Sequence, residues 1–199
     1  MAFRIVNLLD LLQKASLDDV HDFLCTFSCP LNTEIEDFIK NKSIDFSRQK
    51  ISITHLVLNE QDELAAFFSL TQRSIDVGCD KLSATMRKKL MRHGIYNADT
   101  NSIQACAYLI AQLGKNSNSA VHDCPSGDAL MEMPFSVLVK VQHNIGGGVA
   151  FLECEDRPKL LDFYRNAHNN FQLYGERETD DGLKYHQLMH IFNEKTFAN

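Results

Sequence analysis

Apolar and polar positions repeat with two different periods along the chain, and the change of period separates predicted helices from predicted strands. The first 50 residues show mainly helical spacing: a leading segment that fits a strand or a helix, then a helix capped by Ser16, then a second amphipathic helix in TEIEDFIKNKSIDFSRQ. KISITHLVLN alternates strongly and predicts a strand with Ile51, Ile53, His55 and Val57 on one face. LAAFFSLTQRSIDV predicts the partner strand of a hairpin.

Strands and helices alternate in the second half of the chain. Residues 80 to 104 are basic and polar and predict a helix with a surface loop, and ACAYLIAQLG predicts a buried strand. A polar loop, a long helix closed by glycines, the strand VAFLEC and the helix RPKLLDFYRNA follow. Two last strands are joined by an Asp-Asp-Gly turn. This order predicts an α/β fold with a mixed sheet and a right-handed β-α-β crossover.

The composition bears on the number of domains, the cellular compartment and the state of the cysteines. The 199 residues, 44% of them hydrophobic and 23% charged, predict a single domain over 1–199, with halves at about 1–104 and 105–199. No apolar run approaches the ~20 residues needed to span a bilayer, and no signal peptide is recognised, so we expect a cytoplasmic protein with reduced cysteines. Cys106 and Cys154 are expected to be buried as small hydrophobes.

Charge argues against a general attraction to nucleic acid or to anionic membranes. The formal net charge is −6, although MRKKLMRH is locally basic. We interpret this basic stretch as a solvated face.

Three motifs resemble those of the GCN5-related N-acetyltransferase (GNAT) family. YLIAQLGKN resembles the family's fourth strand, SGDALM the end of its pyrophosphate loop with the next helix, and FLECED with LLDFY its fifth strand and tyrosine-bearing helix. Upstream, FSCPLNTEIEDFIKN and RQKISITHLVLN are similar to the subgroup that includes acetyltransferase toxins. The resemblance spans roughly residues 16 to 192. It implies a GNAT-like mixed, splayed central sheet with flanking helices.

The resemblance also implies acetyl-CoA as co-substrate and no metal. Where two parallel strands splay apart, free backbone groups would bind the pantetheine arm. The motif match assigns these groups to Leu113, Gly114 and Lys115. The pyrophosphate would be bound at the N-terminus of the next helix, by Ser126, Gly127 and Asp128. The alternative for Gly114 is that it merely ends a strand.

Tyr164 corresponds to the family's tyrosine near the acetyl-CoA sulfur. A phenol with an unperturbed pKa near 10 can donate a proton to the thiolate that leaves when an amine attacks the thioester. The alternative is a packed aromatic on an amphipathic helix. RNAHNNF replaces the Gly-Phe that usually follows, and Asn169 or Asn170 is expected to supply the left-handed turn. No general base is assigned; the candidates by charge sign alone are Glu63, Glu153 and Glu155.

Departures from the family pattern leave a second function open. The loop NSNSAVHDCPSG is long, has no arginine or lysine after Lys115 and carries Asp123, and Pro134 is expected to kink the following helix. The predicted function is acetyl transfer from acetyl-CoA to an amine of a small molecule, a protein or an aminoacyl-tRNA. The alternative is a non-catalytic binding or regulatory module that has lost CoA binding. A homodimer is a candidate assembly, and no membrane partner is expected.

Three further motifs have plainer interpretations. His186 and His190 are four apart in a predicted strand, about 13 Å from each other, and therefore read as core or surface histidines rather than metal ligands. The run from His122 to Cys124 hints at a nucleophile with a base, but adjacent residues rarely face each other. The glycines at 146–148 follow a helix and predict a C-cap and turn.

Overall fold

The computed structural model describes residues 2–180 and 182–192, and it divides into two compact units. The first unit comprises Met1–Thr71 and Ile110–Pro134, and the second comprises Gln72–Leu109 and Phe135–Asn199. The single-domain organisation over 1–199 stays a prediction. Asp181, in the predicted Asp-Asp-Gly turn, lies outside the described residues.

The strands form one mixed sheet. Their bounds are β1 (Arg4–Asn7), β2 (Ile53–Leu58), β3 (Leu64–Gly78), β4 (Gly94–Asn97), β5 (Ser102–Lys115), β6 (Val149–Glu155), β7 (Gln172–Glu178) and β8 (Lys184–Ile191). The order in the sheet is β1-β2-β3-β5-β6-β8-β7, with β4 paired to β5 off this path. β5 and β6 are parallel, whereas β1–β2, β2–β3, β4–β5, β6–β8 and β7–β8 are antiparallel. The predicted α/β class with a mixed sheet is confirmed.

The α-helices of the described residues fall where the sequence predicts helical spacing. Their bounds are α1 (Leu8–Leu12), α2 (Leu17–Cys25), α3 (Thr33–Asp37), α4 (Ser43–Arg48), α5 (Ala84–Leu90), α6 (Gly127–Ile145) and α7 (Pro158–Arg165). Ser16 caps α2, since its hydroxyl accepts the Asp19 N–H at 3.1 Å. The second amphipathic helix spans the predicted stretch, within which a π-helical turn, Phe38–Lys42, joins α3 to α4. No helix within the described ranges is long and apolar enough to cross a membrane.

Aromatic packing forms the core of the first unit. The Phe67 ring, from β3, is fully buried and lies edge-on to Phe27 at 5.1 Å between ring centroids and stacks on Phe38 at 6.2 Å. β2 is buried along almost its whole length, so Leu56 is as inaccessible as Val57. Both faces of this strand are therefore covered.

A second core lies within the second unit, between the last part of β3, the first part of β5, β6, β8 and α5. Residues 80 to 104 contain β4 as well as the predicted helix. The sequence pattern missed β4 because its four residues are mostly exposed and carry no burial period. Cys154 is buried as expected, but Cys106 is exposed, which contradicts its assignment to the core.

We expect Phe67→Ala to lower the free energy of unfolding by about 3–5 kcal/mol, because it leaves a cavity among fully buried rings. Urea unfolding followed by circular dichroism measures this loss. The control is Leu31→Ala, whose side chain is 84% exposed, and which should change stability by at most about 0.5 kcal/mol. Equal losses in the two variants would contradict the assignment of this core.

Candidate functional site

The residues assigned to the pantetheine arm form the end of β5. β5 pairs with β6 at Tyr108 and Leu109, and no ladder to β6 in the described part of the chain includes the segment Leu113–Lys115. A strand edge without a neighbour presents backbone N–H and C=O groups that need partners. This is the backbone feature that a strand-like ligand requires.

The register of β5 shows which of these residues face the free edge. The backbone N–H of Asn116, just after β5, donates to the Ala65 carbonyl of β3 at 2.9 Å. Successive residues of a strand direct their backbone groups to opposite edges. Gly114 therefore points its backbone groups toward β3, whereas Leu113 and Lys115 point theirs to the opposite edge.

Gly114 has a different role, which is to leave space. A Cβ at this position would lie 2.6 Å from Ile35 Cγ2 and 2.9 Å from Phe67 Cε1, inside the contact distance of carbon atoms. Gly114 is also buried, one residue before the end of β5. Its position agrees with the alternative that Gly114 ends a strand. Close packing against β3 and α3 explains why no side chain is tolerated there.

The helix after the loop begins with an exposed cap. Ser126 Oγ accepts the Ala129 N–H at 3.2 Å, so Ser126 caps α6 as predicted. Ser126, Gly127 and Asp128 are all exposed. The first-turn N–H groups and the helix dipole of α6 favour an anion here, whereas the Asp128 carboxylate competes for the same position. α6 continues as one helix through Pro134.

The loop between β5 and α6 is fixed by Glu63, from the β2–β3 turn. Glu63 accepts the His122 backbone N–H at 3.0 Å and the Asn59 side-chain amide at 2.7 Å, and His122 Nδ1 lies 2.8 Å from its other oxygen. The His122 backbone N–H, followed by the Asn59 amide and the His122 ring, lowers the pKa of Glu63 to about 2. Such a carboxylate is a weak base, so Glu63 is a poor candidate for the general base.

The other candidate bases are also engaged. One oxygen of Glu153 accepts from Arg177 Nη2 at 2.8 Å, and the other accepts from Gln187 Nε2 at 2.8 Å. Glu155 lies 2.6 Å from the Arg157 guanidinium. The carboxylates of these residues are therefore already bonded to partners within the protein. The structure assigns no general base among them.

Tyr164 lies on α7 in the second unit, whereas the residues assigned to the cofactor belong to the first. Its ring packs edge-on against Phe163 at 4.9 Å and Phe171 at 6.0 Å. Its hydroxyl makes no hydrogen bond within residues 2–180 and 182–192. Burial, with a smaller contribution from Cys154, raises the pKa of Tyr164 well above that of a free phenol. The side chain is therefore both a packed aromatic and a protonated, unengaged donor.

The turn after α7 replaces the family's glycine with asparagine. Asn170 has a φ of 52°, which confirms the prediction that Asn169 or Asn170 supplies a left-handed residue. The next residue, Phe171, donates its N–H to the Tyr164 carbonyl at 3.0 Å. Asn169 Nδ2 donates to the Phe163 carbonyl at 2.8 Å. This turn closes the helix and returns Phe171 onto the Tyr164 ring.

A buried histidine adjoins this aromatic group, and a core position is one of the two that the sequence predicted for it. His190, on β8, packs against Phe135, Phe171 and Phe192 with ring centroids 5.0, 5.7 and 5.1 Å away. Neither ring nitrogen has a hydrogen-bond partner of normal geometry in the described residues. Burial lowers the pKa of His190, partly offset by the backbone of Asn169 and Asn170.

The remaining motifs have structural partners. β8 is a strand, as predicted for HQLMH, and His186 Nε2 lies 2.9 Å from Asp156. His122 bonds to Glu63, whereas the Cys124 thiol donates to the Asn116 carbonyl at 3.4 Å. Gly146 and Gly147 have φ values of 75° and 99°, as a turn after α6 requires. No group of three potential metal ligands occurs in the part of the chain that the structure describes.

Because the His190 ring is neutral and buried, we expect it to make the protein sensitive to acid. The unfolded chain binds a proton at this position near pH 6.5, before the folded chain does, so stability falls as pH drops below 6.5. His190→Leu should reduce that fall by up to about 1.4 kcal/mol per pH unit. Urea unfolding at pH 7.5 and pH 5.5 measures it. The exposed His143→Gln variant should keep the wild-type slope, and an unchanged slope in His190→Leu would refute the account.

No protein-family model and no curated protein matches the sequence. Solved structures match the fold over most of the chain. AtaT complexed with acetyl-methionyl-tRNAfMet has a TM-score of 0.62 at 16% identity, covering 92% of this chain and 94% of that chain. A KacT mutant has a TM-score of 0.62 at 14% identity, with 96% and 95% covered. AtaTR bound with AcCoA has a TM-score of 0.59 at 13% identity, with 95% and 93% covered.

Likeness at these identities concerns the fold. Three features follow the element order that the sequence motifs predicted. They are the mixed sheet with its flanking helices, the register of β5 and β6, and the helix α7 that bears Tyr164. The chain therefore has the GNAT fold, which it shares with AtaT and KacT.

Proposed function

We propose that this chain is an N-acetyltransferase that uses acetyl-CoA as co-substrate. The observation that carries the proposal is the end of β5, whose segment Leu113–Lys115 has a neighbour in β3 but no pairing with β6 within the described residues. A neighbour in fold, AtaTR, is bound with AcCoA, which adds support.

The cofactor would be held mainly by backbone groups. Leu113 and Lys115 direct N–H and C=O groups to the free edge of β5, where the amides of a pantetheine arm can pair with them. The exposed N-terminus of α6, at Ser126, Gly127 and Asp128, would bind the pyrophosphate through its first-turn N–H groups. The loop needs few basic side chains for this purpose, because the donors belong to the main chain.

Tyr164 would act as the general acid. Acetyl-CoA supplies the acetyl group as a thioester, from which a sulfur leaves when an amine attacks. The Tyr164 phenol keeps its proton, because burial raises its pKa, and its hydroxyl has no competing acceptor in the described residues. The phenol therefore carries the proton that this mechanism transfers to the departing sulfur.

The acceptor is proposed to be an amine, and an aminoacyl-tRNA is the finer proposal. AtaT is complexed with acetyl-methionyl-tRNAfMet. In this chain, Arg87 and Lys88 on α5 and Arg92 just after it are exposed, so the basic stretch is accessible to phosphates. The net charge of −6 limits non-specific attraction, so RNA binding would depend on this local cluster.

We expect acetyl-CoA to raise the thermal unfolding midpoint. At 100 times the dissociation constant, a ligand of the folded state adds about 2.7 kcal/mol, equivalent to roughly 5–10 °C for a chain of this size. Differential scanning fluorimetry with acetyl-CoA, CoA and, as a control, adenosine measures the shift. No shift at millimolar acetyl-CoA would favour the alternative, a non-catalytic module with this fold.

We expect Tyr164→Phe to reduce acetyl transfer by roughly 10²–10⁴-fold while leaving the acetyl-CoA dissociation constant unchanged, because only the proton donor is removed. Transfer of radiolabelled acetyl groups to aminoacyl-tRNA and to a panel of small amines measures the loss. Tyr96→Phe, at an exposed tyrosine on β4, is the matched control and should keep wild-type activity. Unchanged transfer in Tyr164→Phe would remove this residue from the mechanism.

A further inference from the structure

Asn116 is the most completely bonded polar side chain beside the end of β5. It is 3% exposed. Its Nδ2 donates to the Leu64 carbonyl at 2.7 Å and, more weakly, to the Thr26 carbonyl at 3.4 Å. Its Oδ1 accepts the Ser28 N–H at 3.0 Å and the Asn118 N–H at 2.9 Å. Both amide protons and both acceptor positions are therefore used.

These bonds join three separate parts of the first unit. Leu64 begins β3, Ser28 follows α2, and Asn118 belongs to the loop that leads to α6. Backbone bonds run beside the side chain: the Asn116 N–H donates to Ala65 and the Ser117 N–H donates to the Ser28 carbonyl at 2.7 Å. The chain leaving β5 is thereby fixed in position and direction on the β3 side.

We propose that Asn116 is a positioning residue for acetyl-CoA, an inference that rests on the proposed function. By holding the end of β5 against β3, it keeps the backbone groups of Leu113 and Lys115 aligned on the opposite edge for pantetheine. By bonding Asn118, it also sets where the loop begins its path to the cap at Ser126. The Asn116 side chain itself touches no reacting atom.

Only an amide satisfies all four bonds. An ionised aspartate has the same shape but cannot donate, so it would place an oxygen against the Leu64 and Thr26 carbonyls. Because the site is buried, no water replaces the lost hydrogen bonds of these carbonyls. A serine keeps one donor and one acceptor but is too short to reach all the partners. Asn116→Asp therefore removes the Nδ2 hydrogen-bond donors at constant side-chain volume. Asn116→Ser removes fewer of the hydrogen bonds.

The test compares these two variants with wild type and with Ser69→Ala. Ser69 is also buried on β3, and its hydroxyl donates to Ser52 Oγ at 2.9 Å, so its removal matches the loss of a buried hydrogen bond. Isothermal titration calorimetry gives the acetyl-CoA dissociation constant, steady-state kinetics give KM and kcat, and amide hydrogen exchange reports on residues 113–118.

We expect Asn116→Asp to weaken acetyl-CoA binding and raise its KM by at least ~10-fold, with Asn116→Ser intermediate. The kcat at saturating acetyl-CoA and the KM of the acceptor should stay within about threefold of the wild-type values, since the substitutions leave Tyr164 and the acceptor unchanged. Exchange at residues 113–118 should rise. Ser69→Ala should lose stability but keep wild-type binding.

Three results would overturn the inference in distinguishable ways. Wild-type acetyl-CoA affinity in both folded Asn116 variants would mean that Asn116 stabilises the loop without positioning the cofactor. A wild-type protein that binds no acetyl-CoA, with faster exchange at residues 113–118 in the variants, would instead refute the proposed function and leave Asn116 a purely structural clamp. Equal weakening by Ser69→Ala would attribute the effect to lost stability.

Discussion

The unequal pairing of the two edges of β5 is the constraint on which the candidate site depends. A buried backbone group without a partner is costly, so a strand normally has two neighbours or ends at the surface. The end of β5 has β3 on one side and no pairing with β6 in the described residues. Everything around it fixes the β3 side: Gly114 allows close packing on Phe67, and Asn116 bonds the chain to Leu64 and Ser28. In the proposed function, the opposite edge is the one that pairs with the pantetheine arm.

Burial decides the protonation state of the groups that matter on the second unit. Tyr164 is held by Phe163 and by Phe171, which the left-handed Asn170 returns onto its ring. The same apolar surroundings raise the pKa of the Tyr164 phenol and lower that of the neighbouring His190 imidazole. Both effects follow from one cause, the cost of a charge away from water. A phenol in this environment stays protonated at neutral pH, because burial disfavours the charged phenolate.

The acidic residues illustrate how tertiary contacts change what a sequence suggests. The negative charges of Glu63, Glu153 and Glu155 made them candidates for the general base. Each carboxylate is instead bonded to a partner inside the protein. Glu63 in particular fixes the loop between β5 and α6 and has its pKa lowered to about 2 as a result. Its contribution to the site is the shape of that loop. A base for the amine has to be sought elsewhere, and water is the simplest source.

The sequence by itself determined the element order, the caps at Ser16 and Ser126, the position of Tyr164 on its helix and the left-handed asparagine after it, because these depend on local periodicity and on intrinsic backbone preferences. The tertiary structure alone decided that β2 is buried on both faces, that β4 exists as a strand on β5, and that Asn116, Glu63 and His190 acquire their partners. Those features join residues that are distant in sequence: Asn116 lies 52 positions from Leu64, and His122 lies 59 from Glu63. No local pattern encodes such contacts, since the energy that selects them is gained only when separate elements pack together.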